Sequence, residues 1–108
     1  MRKPPKRFLT SAYRRTLWKE VSSTLSQIEK SVPISKAYLI GSYTTKKRRP
    51  ADIDFMVMLK VPAGSRANWS FDLVTAPDNA HGTTVLNDVK KWMKQKYGSK
   101  KSEVVRLK

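Results

Sequence analysis

The chain has 108 residues, 39% of them hydrophobic, with 23 Lys and Arg against 8 Asp and Glu for a formal charge of +15. That is enough apolar material for one compact domain and no more. The absence of cysteine excludes disulfides, zinc–thiolate sites and thiol nucleophiles. No apolar run reaches membrane-spanning length, and the charged N-terminus lacks the apolar stretch of a secretory signal, so a cytoplasmic protein without membrane attachment is expected. A positive field this strong attracts polyanions: nucleic acid or nucleotides before an anionic membrane or an acidic protein.

In chain order, residues 1–8 (MRKPPKRF) read as a basic arm and residues 9–108 as a single domain. Thr10 or Ser11 caps a first helix whose Tyr13, Leu17, Val21, Leu25 and Ile28 share one face at helical spacing, and Pro33 ends it. KAYLI (36–40) is a short strand broken by Gly41-Ser42. Residues 43–51 form a basic loop or short helix. DIDFMVMLK (52–60) reads as a buried strand, VPAGSRAN (61–68) as a turn, and WSFDLVT (69–75) alternates as a third strand. After a loop over 76–82, Thr83 or Thr84 caps a second helix to about Tyr97. Val85, Leu86, Val89, Trp92 and Met93 line one face of it, and Lys90, Lys91 and Lys94 the other. EVVRL (103–107) is a last strand. The fold class is α+β, a small mixed sheet flanked by helices. Trp69 and Trp92 are read as core or interface residues. The single histidine, His81, is read as a loop or cap residue.

Chemistry concentrates at Asp52 and Asp54. Alternate strand residues share a face, so the two carboxylates point together, about 7 Å apart by strand rise, while Ile53, Phe55, Val57 and Leu59 face a core. Carboxylates so placed repel and raise each other's pKa unless a positive charge lies beside them, and a hard divalent cation such as Mg²⁺ meets that need. Asp72, in the expected third strand, is the candidate third carboxylate if that strand pairs antiparallel with Asp52–Lys60 and sets it opposite Met56. Gly41-Ser42, at a strand end, lets phosphate approach free backbone amides and a hydroxyl. Lys46, Lys47, Arg48 and Arg49 follow. Their cations suit a triphosphate or a nucleic-acid backbone, and the same run also reads as a solvated loop.

Strand, Gly-Ser, a nine-residue spacer and Asp-Ile-Asp-Phe together resemble the signature of the polymerase-β-type nucleotidyltransferase superfamily. The likeness runs over residues 38–58 and more loosely to Thr75. FDLVTAP is similar to the third-carboxylate strand of minimal bacterial nucleotidyltransferases, and GSYTT with DIDFMVML resembles bacterial cyclic-oligonucleotide synthases. The resemblance implies a palm-like nucleotidyltransferase fold. It implies two Mg²⁺ ions, or Mn²⁺ in their place, and transfer of a nucleoside monophosphate from an NTP such as ATP to a hydroxyl. Carried over, Gly41 and Ser42 bind the triphosphate, and Asp52, Asp54 and Asp72 are the catalytic metal ligands; Tyr43, Lys46 and Lys47, beside the turn, are also expected to bind the nucleotide. Arg48, Arg49, Lys90, Lys91 and Lys94 are expected to contact nucleic acid, RNA before DNA.

The sequence departs from the family in three places. Lys46-Lys47 stands where many members have a second glycine. No helix is readable between Val61 and Asn68. The helical second domain of the larger synthases is missing. An alternative alignment makes the second helix and residues 103–107 the third-carboxylate unit, with Glu103 as the acid. Under either alignment the expected acceptor is a protein side chain, as in antitoxin-like minimal enzymes of toxin–antitoxin systems, or an RNA 3′ end. The rival expectations are a catalytically weak or inactive nucleic-acid-binding module, and a catalytic subunit completed by a helical partner.

Overall fold

In the computed structural model, which describes residues 2–108, the first helix, α1, runs Ala12–Glu29. Ser11 is extended before it, and its hydroxyl accepts from the Arg14 amide at 3.1 Å, satisfying one of the donors a helix start leaves open. The expected stripe is the packed face: Leu25 is buried, and Tyr13, Leu17, Val21 and Ile28 are half-buried. The helix stops at Glu29, short of Pro33. The Ser31 and Val32 amides both turn back to the Ile28 carbonyl, at 3.0 and 2.9 Å, so the chain leaves the helix before proline forbids it. Of the basic arm, Met1 lies outside the described residues, and the rest holds one 3-10 turn at Lys6–Phe8.

Strands β1 (Ile34–Ile40) and β2 (Asp54–Leu59) pair antiparallel in a two-stranded sheet. β1 begins two residues before the expected Lys36, with a register irregularity between Ile34 and Lys36. β2 is shorter than expected, so Asp52 and Ile53 precede the ladder. The alternation holds: Phe55, Val57 and Leu59 are half-buried, and the Phe55 ring meets Trp18 of α1 at 6.1 Å. The opposite face sets Asp54, Met56 and Met58 across from Ile40, Tyr38 and Lys36, all exposed.

Two expected strands do not form. Residues 69–75 and 103–107 are irregular and exposed, and among the described residues β2 pairs with β1 alone. Met56 therefore faces Tyr38, not Asp72. An alternating pattern states which side a strand would bury, but the strand exists only where its amides and carbonyls find a ladder. Pro62 has no amide to donate, and the Ser65 amide closes a turn on the Pro62 carbonyl at 3.0 Å.

The chain divides into two compact units, Met1–Ala67 and Asn68–Lys108. The second holds helix α2, Ala80–Tyr97. Its cap is Asn79, whose side-chain oxygen accepts from the Gly82 amide at 3.2 Å. Thr83 and Thr84, the expected caps, lie inside the helix, with hydroxyls donating back to the Asn79 and Ala80 carbonyls at 3.4 and 3.2 Å. Asn serves as well as Ser or Thr in this role, so the cap lies four residues before Thr83. Gly98, with φ 50°, ends it. Val85, Val89 and Met93 are half-buried, whereas Leu86 and Trp92 are exposed, a narrower stripe than expected. The whole is a small α+β arrangement of two helices and a two-stranded antiparallel sheet. No described helix is long and apolar enough to cross a membrane.

Candidate functional site

The last rung of the hairpin ladder pairs Ile40 with Asp54, and the chain then turns at Gly41. There φ is 77° and ψ is −160°, a region that only glycine occupies without strain. A Cβ on Gly41 would also overlap the Asp54 Oδ2 atom. Glycine is thus required both by the backbone conformation and by the approach of the carboxylate. Gly41→Ala is expected to cost about 1–3 kcal/mol of stability. Adding Asp54→Ala to it should return, beyond what Asp54→Ala gains alone, only the part due to the clash, since the strained dihedrals remain. Thermal melts of the single and double variants separate the two contributions.

Residues Ser42–Thr44 form one 3-10 turn. Its closing bonds run from the Thr44 amide to the Gly41 carbonyl and from the Thr45 amide to the Ser42 carbonyl, both 3.0 Å. The amides of Ser42 and Tyr43, at its start, therefore have no acceptor within the turn. The Thr44 and Thr45 hydroxyls donate back to the Gly41 and Ser42 carbonyls at 2.7 and 2.6 Å and stiffen it. Beside this turn, burial first and the Asp52 charge second push the Asp54 carboxyl above the usual aspartate range. Asp54 lies on the sheet face away from α1, so its carboxylate is open to a ligand. Among the described residues of the first unit these acids make a pair and not a group of three.

The basic loop after the turn is held from inside by α1. Arg14 is only 3% exposed. Its guanidinium donates to four backbone carbonyls: Phe8 at 3.2 Å, Tyr43 at 2.8 Å, Thr45 at 2.7 Å and Lys47 at 2.6 Å. Tyr43 returns a bond from its hydroxyl to the Arg14 carbonyl at 2.9 Å, and its ring lies under the guanidinium at 4.8 Å. Burial raises the Tyr43 phenol above its ordinary value, against a smaller opposing pull from Arg14, so the hydroxyl stays a donor. Tyr13 donates to the Pro50 carbonyl at 2.6 Å, and Arg49 stacks on the Tyr13 ring at 4.5 Å. With these carbonyls drawn inward, Lys46, Lys47 and Arg48 carry exposed side chains.

The expected site residues fall into three groups. Gly41, Ser42, Asp52 and Asp54 come together at the end of the hairpin. Tyr43 is expected to face a nucleotide, but its ring is fully buried; only its backbone amide is left for a ligand. Asp72, Glu103 and the exposed Lys90, Lys91 and Lys94 belong to the second unit, the lysines on α2 and both acids in irregular segments. His81 sits in the first turn of α2. Trp69, which stacks on Phe71 at 6.0 Å, is 60% exposed and Trp92 is 52% exposed, so of the core-or-interface reading the core half is corrected for both.

Arg14 and Tyr13 escape a motif reading. The available signal is positional: Arg14 falls at helical spacing from Trp18, Val21 and Leu25, and a charge on an apolar stripe is buried with partners or not at all. A family model described as a family of unknown function, DUF6932, matches residues 3–102, and the chain belongs to that family. No curated protein and no solved structure matches it.

Proposed function

We propose that this DUF6932 protein is a Mg²⁺-dependent nucleotidyltransferase that moves a nucleoside monophosphate from an NTP to a hydroxyl acceptor. The observation that carries the reading is the meeting of the Gly41-Ser42 turn with the Asp54 carboxylate, one residue from Asp52, at one end of the hairpin. The donor set fits a hard divalent cation: two oxygen ligands, one of them held above its ordinary pKa by burial and its neighbour, gain from a positive charge beside them.

Mg²⁺ bound there would supply charge neutralisation for the triphosphate and polarisation of the attacking oxygen. The chain's own part is positioning. The absent side chain at Gly41 lets phosphate reach the backbone, and the Ser42 and Tyr43 amides with the Ser42 hydroxyl offer donors to its oxygens. The acceptor oxygen bonds to the α-phosphorus, the bond to the β-phosphate bridge breaks, pyrophosphate leaves, and the hydroxyl proton passes to solvent. Asp54 is held against Gly41, so the ligand carboxylate and the phosphate donors move as one piece.

The resemblance gives the third carboxylate's role to Asp72 before Glu103. The test is transfer of labelled AMP with RNA and with protein acceptors present. Asp52→Ala and Asp54→Ala should each abolish transfer and weaken Mg²⁺–ATP binding, and Asp72→Ala beside Glu103→Ala reveals which acid the reaction needs. If no NTP gives transfer, and neither Asp52→Ala nor Asp54→Ala affects nucleotide binding, the reading fails.

A further inference from the structure

A groove of about 310 Å³ opens in the first unit. The arm and the start of α1 supply Arg7, Thr10 and Ser11 to its walls, and the basic loop supplies Lys46, Lys47 and Arg48. The buried Arg14 guanidinium also lines it, and no acid lies along its wall. The N-terminus of α1 faces the same space and already carries the positive end of the helix dipole. Its first turn holds no acid, yet Arg14 and Arg15 stand in it. Side chains at a helix start ordinarily run the other way, with Asp or Glu favoured there. The folded unit therefore concentrates one sign of charge in a concave space and, apart from the backbone carbonyls that hold Arg14, opposes it with nothing of its own. Local rules broken in this manner mark places where a ligand supplies the missing partner.

We propose that this groove binds the phosphodiester backbone of a single-stranded nucleic acid. The four wall cations are more charge than one phosphate offsets, so consecutive phosphates fit the groove better than a lone one. The Thr10 and Ser11 hydroxyls can donate to the same oxygens, and contacts to the phosphate backbone position a strand without reading its sequence. The inference deepens the transferase reading, in which an RNA 3′ end is one acceptor, by giving the strand a track. It also assigns Lys46 and Lys47 to that strand and not to the triphosphate. It rests on transfer only for its meaning, since binding is measured without chemistry.

Thr10→Glu is the discriminating variant. Thr10 is exposed, and a carboxylate there suits the helix start, so the melting temperature should rise. The same carboxylate places a negative charge in the groove. Anisotropy with a labelled single-stranded RNA oligonucleotide, over a salt series, should show wild-type affinity falling steeply with salt. Thr10→Glu should lower affinity about tenfold and flatten the salt slope. Thr84→Glu, the same change of net charge in α2, should alter affinity by no more than about twofold. Mg²⁺–ATP binding by calorimetry should be equal in all three proteins. Equal RNA losses in both variants would mean net charge alone and would overturn the groove. So would a loss of ATP binding in Thr10→Glu, which would return the groove to the triphosphate, an unchanged RNA affinity, or no RNA binding by the wild type. Absence of ATP binding throughout, with the RNA pattern intact, would sink the transferase reading and leave the groove standing.

Discussion

Asp54→Asn is expected to make the protein more stable at neutral pH and to remove its transfer activity. The Asp54 carboxyl is raised above its ordinary value by burial and then by Asp52. A carboxyl with a folded-state pKa above its unfolded one holds its proton more firmly in the folded form. As pH rises through the unfolded pKa and on through the folded one, stability is lost, and above both the full loss persists. At pH 7 an ionised Asp54 is therefore a standing destabilisation, and asparagine removes it with the shape nearly unchanged. Below the ordinary aspartate range wild type and variant should melt closer together, which is the check on the sign. Mg²⁺ should raise the melting temperature of the wild type at neutral pH and leave the variant where it was. Transfer should fall about a hundredfold or more, because a metal ligand set supplies several kcal/mol and each 1.4 kcal/mol or so is tenfold. Stability and activity moving in opposite directions is what distinguishes a functional carboxylate from one that merely holds the fold. A variant less stable than wild type at pH 7 would place Asp54 in the structure and not in the chemistry.

The residues that sequence reading places correctly are those whose placement needs only local physics. Ser11 caps α1 because a short oxygen-bearing side chain before an amphipathic run satisfies an open amide, and β2 alternates because strand geometry leaves it no choice. The approach of Gly41 to Asp54 is not among them, because the sequence reading pairs residues 52–60 with 69–75, whereas the ladder runs to β1. What fails is non-local. Residues 69–75 have the apolar alternation of a strand but no ladder, and periodicity is silent about partners. Asn79 is passed over as a cap because Thr83 and Thr84 offer the same chemistry a turn later, and only the backbone conformation separates them. Arg14 is invisible to motif reasoning because its work is done on carbonyls, which every residue has. No residue type at Phe8, Tyr43, Thr45 or Lys47 announces that its carbonyl will turn inward.

Arg14 is accordingly the position where a single change should do most damage to the first unit. Arg14→Met, which keeps length and apolar stem, is expected to lower stability by about 2–4 kcal/mol. Two effects oppose each other. Removing a buried cation with no carboxylate partner relieves a desolvation cost, and that alone would favour the variant. Against it, the bond to the Tyr43 carbonyl is fully buried, and leaving such an acceptor without a donor costs about 1–3 kcal/mol. The other three carbonyls are part-buried, so water recovers some of their loss. They are also bonded by one charged fork, which is stronger than neutral donors provide. The loss prevails because four acceptors on the arm and the loop depend on one side chain. Its signature should be local before it is global: freed from Arg14, the loop's inward carbonyls rotate out, and trypsin reaches the bonds after Lys46, Lys47 and Arg48. Arg14→Lys should fall between, since an ammonium has three donors and no planar fork to span Tyr43, Thr45 and Lys47 together. The melting temperature and the rate of tryptic cleavage in this loop should follow the order Arg, Lys, Met. Cleavage at wild-type rate in Arg14→Met would mean that the Tyr13–Pro50 bond and Arg49 stacking hold the loop without the clamp.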